Sequence, residues 1–89
     1  MADAIDAVDQ PLWYIERWWE TTGWIVSDLQ KMEVISGKLK QVRPQAMTMT
    51  FARAVAILNA AKKTWPTFDK SGFRVRNVRT KDIVMGAIL

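Results

Sequence analysis

Residues 11–43 read PLWYIERWWETTGWIVSDLQKMEVISGKLKQVR, and the phasing of this run decides the fold. At about 100° per residue, Leu12, Tyr14, Ile15, Trp18, Trp19 and Thr22 fall on one broad arc. Pro11 suits the first turn of a helix and Gly23 the position just past its end. The reading is a helix over 11–22. Trp13 lies outside the arc, among Glu16, Arg17 and Glu20, with Arg17 within reach of the indole face. Trp24, Ile25, Leu29, Met32, Ile35, Leu39 and Val42 share a second arc opposite Lys31, Lys38 and Gln41, which predicts a second helix over 24–43. Ser36-Gly37 interrupts it. The rival is a hairpin in which Glu33-Val34-Ile35 turns at Ser36-Gly37 into Lys38-Leu39-Lys40. The helix is preferred because the apolar phase holds across the glycine.

On the C-terminal side, Pro44 ends that element, and Thr48 or Thr50 is placed to cap a third helix running to about Thr64. Its main apolar face is Met47, Phe51, Ala54, Val55, Leu58 and Ala61, with Trp65 beyond in the same phase. Ala52, Ala56 and Ala60 make a small-residue stripe that predicts a central helix covered on two sides. Residues 66–72 read as a loop. Phe73-Arg74-Val75-Arg76 alternates with period two, a short extended segment that must pair with another strand in this chain or in a partner, or remain irregular. Thr80 and Asp82 suit the start of a last helix over 80–89, with Ile83, Val84, Ala87 and Ile88 on one face. An end so apolar needs a docking place, in its own core or in a partner's groove, or else belongs to a longer chain.

On the N-terminal side, residues 1–10 form an acidic arm. Asp3, Asp6 and Asp9 share one helical face and Ile5, Val8 and Leu12 another, with Pro11 limiting the run. The expected fold is therefore mainly α: an acidic arm over 1–10, then one domain of three to four helices over 11–89 with a short β segment near its C-terminal end.

The 89 residues suffice for one modest core, and 49% hydrophobic content with five Trp is a globular composition. Cys and His are both absent. Their absence removes thiol nucleophiles, histidine-based triads and the usual zinc sites. Ser36-Gly37-Lys38 lacks the earlier glycine of a phosphate-binding loop. Glu16 and Glu20 read as a solvent-facing carboxylate pair rather than a glycosidase site. Lys62-Lys63 carries no sign of an activated amine. No catalytic residue, metal, cofactor or small-molecule substrate is assigned. The acidic Met1–Asp6 start is unlike a secretory signal and no apolar run spans a bilayer, so the expected location is cytoplasmic.

Charge is divided unevenly. Residues 1–30 carry a net −5 and residues 31–89 a net +9, within an overall +4. Such a division, in a short chain without Cys or His, is shared with many virus- and phage-encoded accessory proteins. The expected function is a non-catalytic protein-binding or assembly subunit, with a protein or further copies of itself as partner. Trp13, Arg17, Arg74, Arg76, Ile83 and Ile88 are its candidate contacts. The alternative is a small nucleic-acid-binding protein. There, Lys62, Lys63, Lys70, Arg74, Arg76, Arg79 and Lys81 in the basic segment 62–81 would track phosphates, and Phe68 or Phe73 would stack on a base.

Overall fold

Trp13–Trp19 is a strand, not a helix. Five of its seven residues are Trp, Tyr or Ile, side chains that fit a pleated surface better than a helical one. The computed structural model describes residues 10–89. Its elements are β1 (Trp13–Trp19), β2 (Gly23–Val26), β3 (Met32–Ile35), β4 (Lys38–Gln41), α1 (Phe51–Thr64), β5 (Phe73–Asn77) and β6 (Ile83–Met85). Short 3₁₀ turns occupy Asp28–Lys31, Lys70–Gly72 and Gly86–Ile88. The strands form a four-stranded antiparallel sheet in the order β2-β1-β5-β6 and a separate β3-β4 hairpin. The expected three- to four-helix domain is thus corrected to a mainly β fold with one α-helix among the described residues.

Each correction has a local cause. Ser36 and Gly37 both take left-handed backbone angles, φ 52° and 76°. That pair of positive angles is what a two-residue hairpin turn needs, so residues 33–40 fold back and Glu33 lies opposite Lys40. The helix expected over 80–89 is pre-empted by Asn77. Its Oδ1 accepts the Arg79 and Thr80 N–H groups (2.8 and 2.9 Å), and Lys81 turns left-handed at φ 69°. The chain then returns as β6 beside β5. The helix expected over the middle of the chain is present as α1. Thr50 caps it, accepting the Arg53 N–H, and Lys62 and Lys63 sit in its last turn, where the helix dipole favours cations. The large sheet and the β3-β4 hairpin both pack on it, but of the small-residue stripe only Ala60 is buried, while Ala52 and Ala56 are exposed.

The core lies between α1 and one face of the large sheet. Ala54, Ile57, Leu58 and Ala61 meet Trp13, Ile15, Phe73 and Val75, closed by Leu29 and Met49. Trp13 packs edge-on against Phe51 at 4.9 Å between ring centroids. The β3-β4 hairpin leans on α1 through Val34 and Leu39, and Arg53 pairs with Glu33 at 2.8 Å.

Gln30 fills a gap in the sheet. Beyond Ser27 the chain leaves β1, and the next backbone beside β1 is Met49, paired with Trp13 through N···O contacts of 2.9 and 3.0 Å. Gln30, fully buried, bridges the interval with its side-chain amide. Oε1 accepts the Ile15 N–H at 2.7 Å, and Nε2 donates to the carbonyls of Trp13 (3.0 Å) and Met47. Arg43 fixes the same loop by donating to the carbonyls of Gln30 and Met32.

Candidate functional site

The two faces of the large sheet follow from alternation along its strands. Trp13, Ile15, Arg17 and Trp19 point to the α1 side, with Phe73, Val75 and Ile25 in register beside them. Helix α1 covers only the Trp13–Ile15 end. The other end is an open groove of about 800 Å³ walled by Arg17, Trp19, Leu29, Trp65, Phe68 and Phe73. Phe68 and Phe73 stack at 4.5 Å, and the Arg17 guanidinium lies 4.0 Å over the Trp19 ring and 5.7 Å from Phe73. At the rim, Trp19 and Trp65 remain 43% and 45% exposed, and Trp18, 50% exposed and based on the opposite face of the sheet, also borders the groove. Asp69 closes one end of the rim. The Ser71 hydroxyl and N–H, both hydrogen-bonded to its carboxylate, hold that carboxyl below the usual range, so it is anionic at neutral pH.

The opposite face carries Tyr14, Glu16 and Trp18 on β1, Trp24 and Val26 on β2, Arg74 and Arg76 on β5, and Ile83 and Met85 on β6. No described helix covers it. Glu16 is 5% exposed, held by Arg74 Nε at 2.8 Å on Oε1 and by Arg76 Nε at 3.0 Å on Oε2. One carboxylate thus serves two guanidiniums. Arg74 also stacks 4.4 Å over Trp24, whose ring meets Trp18 edge-on at 5.7 Å. Glu16→Gln keeps the size and removes the charge. Because both arginines are partly hydrated, the expected cost is about 1–3 kcal/mol, less than for a fully buried pair. A urea denaturation midpoint unchanged from wild type would show that the cluster contributes nothing to stability.

The sequence-derived candidates are dispersed by this geometry. Trp13 is 3% exposed and belongs to the core, so it is corrected from a surface anchor to a packing residue; strand alternation rather than helical phase sets its direction. Arg17 stacks on Trp19 and Phe73 in the groove. Arg74, Arg76 and Ile83 share the open face. Ile88 is exposed in the last 3₁₀ turn, whereas Gly86 is buried and Leu89 packs against the core.

Lys62 Nζ donates to the carbonyls of Pro66 and Phe68, Lys70 Nζ to Asn59 Oδ1 and the Leu89 carbonyl, and Lys81 Nζ to the Val78 carbonyl. Arg79 reaches Gln10 and Lys63 is exposed on α1. The basic residues of 62–81 therefore do not form one strip. The acidic arm, but for Gln10, lies outside the described residues, as do Asp3, Asp6 and Asp9. Among the described residues no group of acidic side chains is placed to hold a metal ion, and no helix is long and apolar enough to cross a membrane.

The helical arcs place Trp18, Trp19 and Trp24 on apolar faces, a reading that conceals the groove. Alternation over 13–19, had it been preferred, puts Arg17 and Trp19 on one side and Trp18 on the other. Comparison with family models, with curated proteins and with solved structures finds no match.

Proposed function

We propose that this chain is a non-catalytic protein-binding module, an adaptor or assembly subunit acting in the cytoplasm, and that it takes its partner at the aromatic end of the sheet. One observation carries the reading: Trp18, Trp19 and Trp65 stand half-exposed around a groove already floored by the Phe68–Phe73 stack and Arg17. Trp and Arg dominate the energetics of protein interfaces because they bury large areas with few rotatable bonds and retain a polar handle. Exposed aromatics in a cluster cost solvation in the free chain, and a partner that covers them recovers it.

The test is capture of partners from the native source by the wild-type chain and by two variants. Trp19→Ala is expected to weaken capture by about 2 kcal/mol, roughly thirtyfold. Ile35→Ala, on the distant hairpin, is expected to leave it unchanged. Equal capture by all three chains would sink the groove as the site.

The nucleic-acid alternative retains one supporting observation, the Arg74–Trp24 stack beside Trp18 on the open face. Stacking platforms flanked by guanidiniums are what single strands use. Binding of oligonucleotides that falls steeply as salt rises, and is lost in Trp24→Ala, would favour it; no binding at low salt would end it.

A further inference from the structure

Strand β2 is an edge of the large sheet, and nothing in its sequence protects that edge. The run Thr22–Ser27 contains no charged residue and no proline, the devices by which edge strands ordinarily avoid pairing with other chains. The Ser27 N–H donates to the Ile15 carbonyl at 2.8 Å. In an antiparallel ladder that phase turns the N–H and C=O groups of Ile25 toward β1 and those of Trp24 and Val26 outward. The side chains beside this edge are apolar on both faces of the sheet. Ile25 and Trp19 are 41% and 43% exposed on the groove side, and Val26 and Trp18 are 37% and 50% exposed on the open side.

We propose that β2 pairs antiparallel with β2 of a second copy, about a two-fold axis at Ile25, joining two sheets into one. This rests on the reading of the chain as an interaction module and names one of its partners. A second copy is the occupant because the edge is self-complementary in that register. Trp24 of each chain exchanges backbone hydrogen bonds with Val26 of the other, so every outward-facing group of the strand is satisfied by the two-fold alone. Ile25 meets its own counterpart in a non-hydrogen-bonded pair, with Cα atoms about 4.5 Å apart. No like charges are set opposite one another across the strand, since it carries none. On the groove side the two Ile25 side chains join the grooves of the two copies end to end.

The area available makes the pair reversible. A whole aromatic side chain offers about 150–250 Å², so two half-exposed Trp with Ile25 and Val26 supply a few hundred Å² per copy. A standard stable interface uses roughly 800 Å² per partner. The dimer therefore populates at high protein concentration and dissociates on dilution.

The absence of cysteine gives a register-specific test. In Ile25→Cys, any disulfide joins two chains, and the proposed pair sets the two Cβ atoms within bonding reach. In Val26→Cys the two sulfurs sit diagonally, with Cα atoms about 7–8 Å apart, beyond the reach of a relaxed disulfide. Ile35→Cys, on the hairpin and also 41% exposed, reports random collision. In a glutathione redox buffer, Ile25→Cys is expected to form the linked dimer at least about tenfold faster than either control. The unmodified chain is expected to show a weight-average mass in sedimentation equilibrium that rises with concentration, and Ile25→Lys, which sets two ammonium groups face to face, to stay monomeric. Equal crosslinking by all three cysteine variants, or a wild-type mass that stays at one chain up to millimolar concentration, would overturn the dimer. Retained capture of a different protein through Trp19 in that case leaves the interaction module standing without self-association; loss of both would remove it.

Discussion

Replacing Gln30 with leucine is expected to lower the stability of the fold by about 2–4 kcal/mol, because it strips the buried Ile15 N–H of its partner and removes two further backbone contacts. The Ile15 N–H and the Met47 carbonyl lose their Gln30 partners, and the Trp13 carbonyl keeps only the Met49 N–H. Leucine matches the volume closely, so the loss is not one of packing. Each buried polar group left without a partner costs about 1–3 kcal/mol. A domain of this size holds a total stability near the low end of about 5–15 kcal/mol, so the variant is expected to be partly unfolded at 37 °C. Gln30→Glu discriminates further. It retains an acceptor for Ile15 but removes the amide donors and buries a charge, so it is expected to be no better than leucine at neutral pH and to recover in part on acidification, as the carboxyl takes up a proton. A urea transition for Gln30→Leu within about 1 kcal/mol of wild type would mean that water takes the place of the amide, and the bridging role would be withdrawn.

The second large effect is at Gly86. A Cβ added there meets the Phe73 carbonyl oxygen at 2.7 Å and the Lys70 carbonyl oxygen closer still. Both neighbours are backbone, so neither can swing aside. Gly86→Ala must therefore lift the last turn off the sheet, and with it Leu89 and the Lys70 contact to the Leu89 carbonyl. Overpacking of this kind costs about 1–3 kcal/mol, which for a chain of this length is a fall in melting temperature of roughly 5–20 °C. Amide exchange should quicken in β6 more than in β1. An unchanged melting temperature would show that the tail does not depend on this close approach.

The parts of the fold readable from the sequence were those where one period dominates. Phe51–Thr64 has a polar side, a cap at Thr50 and proline at position 66, so its helix stands out. Phe73–Arg76 alternates cleanly because its outward positions are arginines. The hairpin at Ser36-Gly37 is legible as the rival reading; Ile35 and Leu39 keep helical phase across the glycine, although Leu39 in fact lies opposite Val34.

The tryptophan-rich stretch failed for a physical reason. Strand β1 carries large apolar side chains on both faces, Trp13, Ile15 and Trp19 on one and Tyr14 and Trp18 on the other, so the alternation that marks a half-buried strand is erased. A strand of this kind matches a helical arc as well as it matches anything. The same property hid the groove, since the aromatics that line it looked like ordinary core. Glu16 was legible as a charge but not as a partner, because Arg74 and Arg76 lie 58 and 60 residues away.

The bridge made by Gln30 also bears on how the chain acquires its shape. The ladder along one side of β1 is assembled from three unconnected pieces, the backbone of 23–27, one side-chain amide and the backbone at Met49. The ladder along its other side comes from β5, about sixty residues downstream. No short stretch of the chain can complete the central strand by itself. Most of the entropy of loop closure must be lost before the interactions that compensate it form, which is the condition for slow, cooperative folding. Folding is accordingly expected in milliseconds to seconds rather than microseconds, in one step and without a stable hairpin on the way. During synthesis β1 emerges well before β5, so its second ladder waits until Phe73–Asn77 has been made.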